Sequence, residues 1–142
     1  GVQTCALPIL EAVAGKRQAL TVFGSDYPTR DGTCVRDYVH VMDLVAAHVL
    51  GLEWLLAGKG SRVFNLGTGS GFTVREVIEA SRAVTNREVP IVEGTRRAGD
   101  AVALVSGSER AVQELGWKPA HSTLPQMIRD AWAWAQGPGF TK

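Results

Sequence analysis

Residues 20–44 read LTVFGSDYPTRDGTCVRDYVHVMDL, and the fold is decided by how this stretch divides. The apolar run Leu20-Thr21-Val22-Phe23 predicts a strand, closed by Gly24. Ser25, Asp26, Pro28, Asp31 and Gly32 then crowd into a loop rich in turn formers. A second extended run follows from Cys34, predicting a strand over 34–39. An apolar-periodic helix is predicted from Val41 onward. Arg36, between Val35 and Asp37, therefore rides on a short, half-buried strand. A guanidinium held this way is a rigid fork suited to phosphate or carboxylate, where lysine would be a flexible point charge. Any site on this chain is expected to be built around Arg36.

Working outward, the helix predicted over 41–57 takes Leu44, Ala47, His48, Leu52 and Leu55 as its periodic face and stops at Gly58 and Gly60. Residues 62–66 (RVFNL) predict a strand running into Gly67-Thr68-Gly69-Ser70-Gly71. Thr73-Val74-Arg75-Glu76 has the capping-box pattern and opens a helix ending near Thr85. Val89–Val92 predicts another strand, 96–100 a polar loop and 101–105 an extended segment. Short helices are predicted over 108–115 and 124–135. Upstream, Leu10–Ala14 reads as the last turns of a helix ended by Gly15, with Lys16 and Arg17 beside its C-terminal dipole. Mixed strands and helices place the chain in the α/β or α+β class.

At 142 residues the chain fits one ordinary domain or a large piece of one. With 45% hydrophobic and 20% charged residues, it is able to bury a core. The net charge of +1 is spread evenly, without the basic stripe a nucleic-acid binder needs. No apolar run approaches the roughly 20 residues that span a bilayer. Two cysteines, Cys5 and Cys34, make neither a disulfide framework nor a metal site, so a reducing cytoplasm is the expected compartment. Residues 1–9 (GVQTCALPI) lack an initiator Met and a charged n-region, so they are no signal peptide. They are expected to be non-native sequence ahead of a reading frame beginning near Leu10. The functional portion is then 10–136, with 137–142 a frayed tail.

The strand, glycine turn and helix around 62–85 invite a dinucleotide reading. The spacing argues against it. Counting from Gly67 and Gly69, the third glycine should fall at position 72, which is Phe72. Turn geometry and close packing account for these glycines better.

The segments VFGSDYPTRDGTCVRDYVHVMDL, VFNLGTGSGFTVREVI, RRAGD and ELGWKP, with the Trp-bearing last helix, resemble the C-terminal portion of the UDP-glucose 4-epimerase family. These enzymes are extended short-chain dehydrogenases/reductases. The resemblance covers about residues 10–136 in one register. It implies the substrate-binding portion of an incomplete Rossmann-type enzyme. In the family a bound NAD serves the reversible C4 inversion of UDP-glucose and UDP-galactose, the cytoplasmic isomerase step of galactose metabolism. NAD is held mainly by an N-terminal half whose glycine fingerprint and Tyr-x-x-x-Lys pair do not occur in this sequence. The chain alone is therefore expected to be inactive, and the homodimer contacts of the family to lie elsewhere. Carried over by position, the resemblance implies that Thr21, Val22 and Phe23 lie along the uridine. It implies that Arg36 and Arg97 hold the diphosphate and that Asp100 accepts from the ribose hydroxyls. Leu104 falls where certain bacterial members carry a tyrosine near the sugar C2 substituent, implying room for an N-acetyl group. Rival readings are another nucleotide-sugar epimerase, a 4,6-dehydratase, or an inert binding fragment.

The remaining polar residues read as structural. His40, His48 and His121 lack partner spacing for catalysis or zinc. Asp26, Asp31 and Asp43 do not form a calcium loop. Asp43 is expected to cap or pair near a helix start, and Arg96 to be solvated. Cys34 is read as a small apolar strand residue, and Trp117, Trp132 and Trp134 as packing the end of the core.

Overall fold

The computed structural model describes residues 6–137. The expected tail lies, beyond Gly137, outside the described residues, as does most of the segment 1–9. The elements are α1 (Ala6–Val13), β1 (Leu20–Phe23), β2 (Val35–Arg36), α2 (Val41–Leu56), β3 (Phe72–Thr73), α3 (Val74–Thr85), β4 (Ile91–Gly94), β5 (Ala103–Leu104), α4 (Glu109–Leu115) and α5 (Leu124–Gln136). Helix α1 runs through the expected boundary at 9/10, with Ile9 and Leu10 both buried.

Two small sheets carry the loops. In one, β1 and β4 pair in parallel, Leu20 opposite Ile91 and Phe23 opposite Gly94. In the other, β2 is central, antiparallel to β3 and parallel to β5, with Arg36 opposite both Phe72 and Leu104. The main core joins α1, β1, α3 and α5 through Leu10, Val22, Val77, Ile78, Val89 and Ile128. A smaller cluster of Ala47, Ala111 and Trp117 joins α2 to α4.

Helix α3 starts where its sequence predicts. Thr73 accepts from the Glu76 backbone N–H at 3.1 Å, and the Glu76 carboxylate accepts from the Thr73 N–H at 2.9 Å. This satisfies two otherwise orphaned donors of the first turn. The strand expected at 89–92 forms two residues later: Pro90 has no N–H to give a ladder, and Val89 is committed to the core. The strand expected at 62–66 does not form. A strand exists only as a pairing, and among the described residues nothing pairs with this segment, which leaves Val63 75% exposed.

Helix α2 has the predicted limits but not the predicted inner face. Asp43 and Ala47 are its buried residues, with Leu50 packed beside Ala47. Leu52 and Leu55, expected inside, are exposed together with Val41, Val45, Val49 and Leu56. The helix is apolar nearly all round, so periodicity alone does not choose its face. Trp117 is fully buried and donates its indole N–H to the Asp43 carbonyl at 2.8 Å. Trp132 is half-buried against the core, whereas Trp134 is exposed. Six residues beyond Ile128, Trp134 sits about a third of a turn off the buried face of α5. Among the described residues no helix is long and apolar enough to cross a membrane.

Candidate functional site

A cavity of about 270 Å³ opens between α1, β1, β2 and the loop before β5. Its lining includes Thr21, Val22 and Phe23 of β1, Arg36 of β2, and Arg97 and Asp100 of the loop. Six of the seven residues named from sequence are thus on one concave surface. Leu104 is not among the lining residues. It stands half-exposed on β5, opposite Arg36 in the sheet register. The lining also includes Thr33, Cys34, Tyr38, Val74 and Arg17, none of which sequence reasoning singled out for a site. For Cys34 a signal existed: it precedes Arg36 by two, the strand period that puts side chains on one side.

Arg36 is 4% exposed and positioned from its own strand. Its Nη1 donates to the Val35 carbonyl at 2.7 Å and to the Ala101 carbonyl at 3.0 Å. Nη2 stands 3.8 Å from Asp100 Oδ1, and Nε has no hydrogen-bond partner. A buried guanidinium N–H without an acceptor is costly. Arg97 reaches the same carboxylate from the other side, Nε to Asp100 Oδ2 at 3.6 Å. Its guanidinium carbon lies 3.9 Å above the centroid of the Phe23 ring. Asp100 therefore sits between two cations that would otherwise repel, and both face the cavity.

β1 supplies a second kind of binding surface. Leu20 N–H donates to the Pro90 carbonyl and Gly24 N–H to the Gly94 carbonyl, each at 2.8 Å. In a parallel pair, residues bonded to the partner alternate with residues facing away. Thr21 and Phe23 thus direct backbone N–H and C=O to the edge of β1 that no described strand pairs. A planar group carrying both a donor and an acceptor can add there as a short strand would.

The surrounding loops are fixed by carboxylates. Asp31 accepts from the Thr33 N–H at 2.9 Å and hydroxyl at 2.7 Å, and from the Thr73 hydroxyl. Burial pushes its carboxyl pKa up, but these hydrogen bonds together hold it below the ordinary carboxylate range. Asp37 is not the ion-pair partner of Arg36 that its position suggests. It accepts from Thr68 N–H and hydroxyl and from Ser106 N–H, tying the glycine loop to the segment after β5. Arg96, expected to be solvated, is exposed but stacks 4.1 Å above the Tyr27 ring and donates to Asp26 Oδ1 at 2.6 Å.

The glycine loop serves packing. A Cβ on Gly67 would overlap the Ser106 carbonyl, and one on Gly71 would come within 2.8 Å of the Val35 and Val105 methyls. Beside Gly69 nothing lies within 4 Å, and its φ of +76° is the turn conformation that glycine adopts freely. No group of three or more metal-ligating side chains occurs among them.

The family model described as GDP-mannose 4,6 dehydratase matches residues 3–131. The chain belongs to this dehydratase family. Within it, the chain is 48% identical over 139 residues to the UDP-glucose 4-epimerase of Corynebacterium glutamicum, covering 97% of this chain and 42% of that protein. A solved structure of a UDP-glucose 4-epimerase superposes with a TM-score of 0.90 at 47% identity, covering 99% of this chain and 44% of that one. The enzyme of Bifidobacterium longum, solved in complex with NAD+ and UDP, superposes with a TM-score of 0.85 at 33% identity, over 99% and 42% of the two chains. The chain thus spans about two-fifths of the length of these dehydratase-family relatives, and it matches their C-terminal part. Its α/β fold is that of the C-terminal portion of an extended short-chain dehydrogenase/reductase, as its sequence resembles.

Proposed function

We propose that this chain carries the UDP-sugar half-site of a UDP-glucose 4-epimerase, the NAD-dependent enzyme that interconverts UDP-glucose and UDP-galactose. The observation that carries this reading is the meeting of Arg36 and Arg97, distant in sequence, on one carboxylate at one cavity wall. Two guanidiniums on one cavity wall neutralise a diphosphate. The open edge of β1 at Thr21 and Phe23 accepts the donor and acceptor edge of uracil. Asp100, pinned by both arginines, accepts from ribose hydroxyls. Leu104, beside Arg36 in the sheet, sets the space left for the sugar C2 substituent and so the tolerance for N-acetylhexosamines.

NAD supplies the redox chemistry of the inversion, and in this reading it is bound mainly outside these 142 residues. Without a Tyr-x-x-x-Lys pair, the chain by itself binds without turning over. In the complete enzyme it would act in the cytoplasm as one half of each subunit of a homodimer.

The family model's description makes a GDP-sugar dehydratase the second reading. Calorimetric titration of the chain with UDP, UMP and GDP separates the two. UDP binding more tightly than UMP and GDP is expected. Equal affinity for UDP and UMP would remove the diphosphate from the argument, and a preference for GDP would favour the dehydratase.

A further inference from the structure

Three guanidiniums and one carboxylate stand among the described side chains that line the cavity: Arg17, Arg36, Arg97 and Asp100. Arg36 is buried and Arg97 lies on the Phe23 ring, so both are held. Arg17 has no task in the nucleotide reading, and it is held differently. It follows Gly15, whose left-handed φ of +72° ends α1 and turns the chain back. The Lys16 and Arg17 N–H groups donate to the Glu11 carbonyl at 2.9 and 3.3 Å, which fixes the Arg17 backbone beside that helix end. The Arg17 side chain is 45% exposed, and its described partner is the Glu11 carboxylate, Nη2 to Oε2 at 3.2 Å. An exposed pair of this kind is weak, because water solvates both partners and salt screens them. Arg17 can therefore exchange Glu11 for a multiply charged anion at little cost.

We propose that Arg17 is the capture residue of this cavity, drawing in the diphosphate of an incoming nucleotide at the rim before Arg36 and Arg97 hold it. The proposal rests on the UDP-sugar reading and adds a residue to it. A charge at a rim acts on approach, so it sets the association rate and its salt dependence, whereas a buried contact sets the dissociation rate. Glu11 works against capture: it occupies the guanidinium until the anion arrives, and its own charge repels that anion.

Stopped-flow binding of UDP and of inorganic pyrophosphate to the chain gives both rate constants. At low salt, Arg17→Gln is expected to slow association of either anion about threefold, a single charge's share of the steering that charged clefts achieve, and to leave dissociation unchanged. Arg17→Lys should keep the wild-type rate, since attraction at a distance needs the charge and not the fork. Glu11→Gln should raise the rate. At about 1 M salt, where the screening length is about 3 Å, wild type and Arg17→Gln should associate alike. An Arg17→Gln chain that associates as fast as wild type overturns the capture role, as does one whose slower association Arg17→Lys fails to restore, or one that loses affinity through dissociation alone. If Arg17 governs pyrophosphate capture while UDP binds no tighter than pyrophosphate, the capture role stands and the uridine reading falls. A chain that binds neither anion overturns both.

Discussion

Arg36 is buried and spends one nitrogen on two backbone carbonyls, whereas Arg97 lies half-exposed on the Phe23 ring. The two arginines should therefore fail differently. Arg97→Gln is expected to weaken UDP by about tenfold with an unchanged melting curve, since a charged hydrogen bond contributes roughly 1.5–3 kcal/mol and solvent screens this one. An affinity left unchanged would place the diphosphate elsewhere. Asp43 bears on stability instead. It is buried and accepts from the Ala120 and His121 N–H groups at 2.9 and 3.0 Å and from the Ser122 hydroxyl at 2.5 Å. Burial raises its pKa, but the three donors outweigh that and leave it lowered. A lowered folded pKa means the stability is complete above the unfolded value of about 3.9 and is lost as pH falls through the folded one. Asp43→Asn should lower stability at neutral pH and flatten the acid limb of a pH-resolved urea titration. An unchanged limb would refute the assignment. Arg36 was legible because a guanidinium on a short strand stands out in a chain, whereas Arg97 and Asp100 were placed only by the family resemblance, since an Arg-rich polar loop read alone is a solvated surface. Asp43 was not: its donors lie on a loop far along the sequence, and spacing near a helix start carries no trace of them.

Local chemistry decides the elements that were readable. The α3 start could be placed to the residue, because Thr73 and Glu76 satisfy each other within one turn. Thr73 is also fully buried and donates to Asp31, so the cap anchors the loop before β2 as well as the helix. Thr73→Val should therefore exceed the cost of a simple cap, about 1 kcal/mol, and approach about 2 kcal/mol by urea denaturation. A loss below half a kcal/mol would show that the two bonds do not act together. Elements that depend on distant partners were read less well. The segment 62–66 has strand composition but no described neighbour, and strand 89–92 shifted past Pro90 because the ladder needs N–H groups.

At the scale of the molecule, α2 exposes Val41, Val45, Val49, Leu52 and Leu56, at three- and four-residue steps along one side. Val63 in the unpaired segment is exposed as well. Contiguous apolar surface of this kind drives association in water. The chain should self-associate at micromolar concentration, and Val45→Lys with Leu52→Lys should return it to monomer with its helical circular dichroism intact. A wild-type chain that sediments as a monomer would contradict this. The α/β class and nine of the ten described elements, all but the two-residue β3, could be anticipated from periodicity and turn chemistry. Which side of α2 faces inward could not, because hydrophobic residues on all sides leave a one-dimensional pattern undecided.

Leu20 and Ile91 are register neighbours, yet almost half of the chain separates them. Closing so long a loop costs entropy before any contact rewards it, so the β1–β4 ladder belongs to the slow, late part of folding. During synthesis at roughly 5–20 residues per second, Val22 waits on the order of several seconds before β4 has been made. The β1–β4 pair is thus completed only after α2 and α3 have been made, and a nascent chain halted before residue 91 would leave β1 without its partner strand.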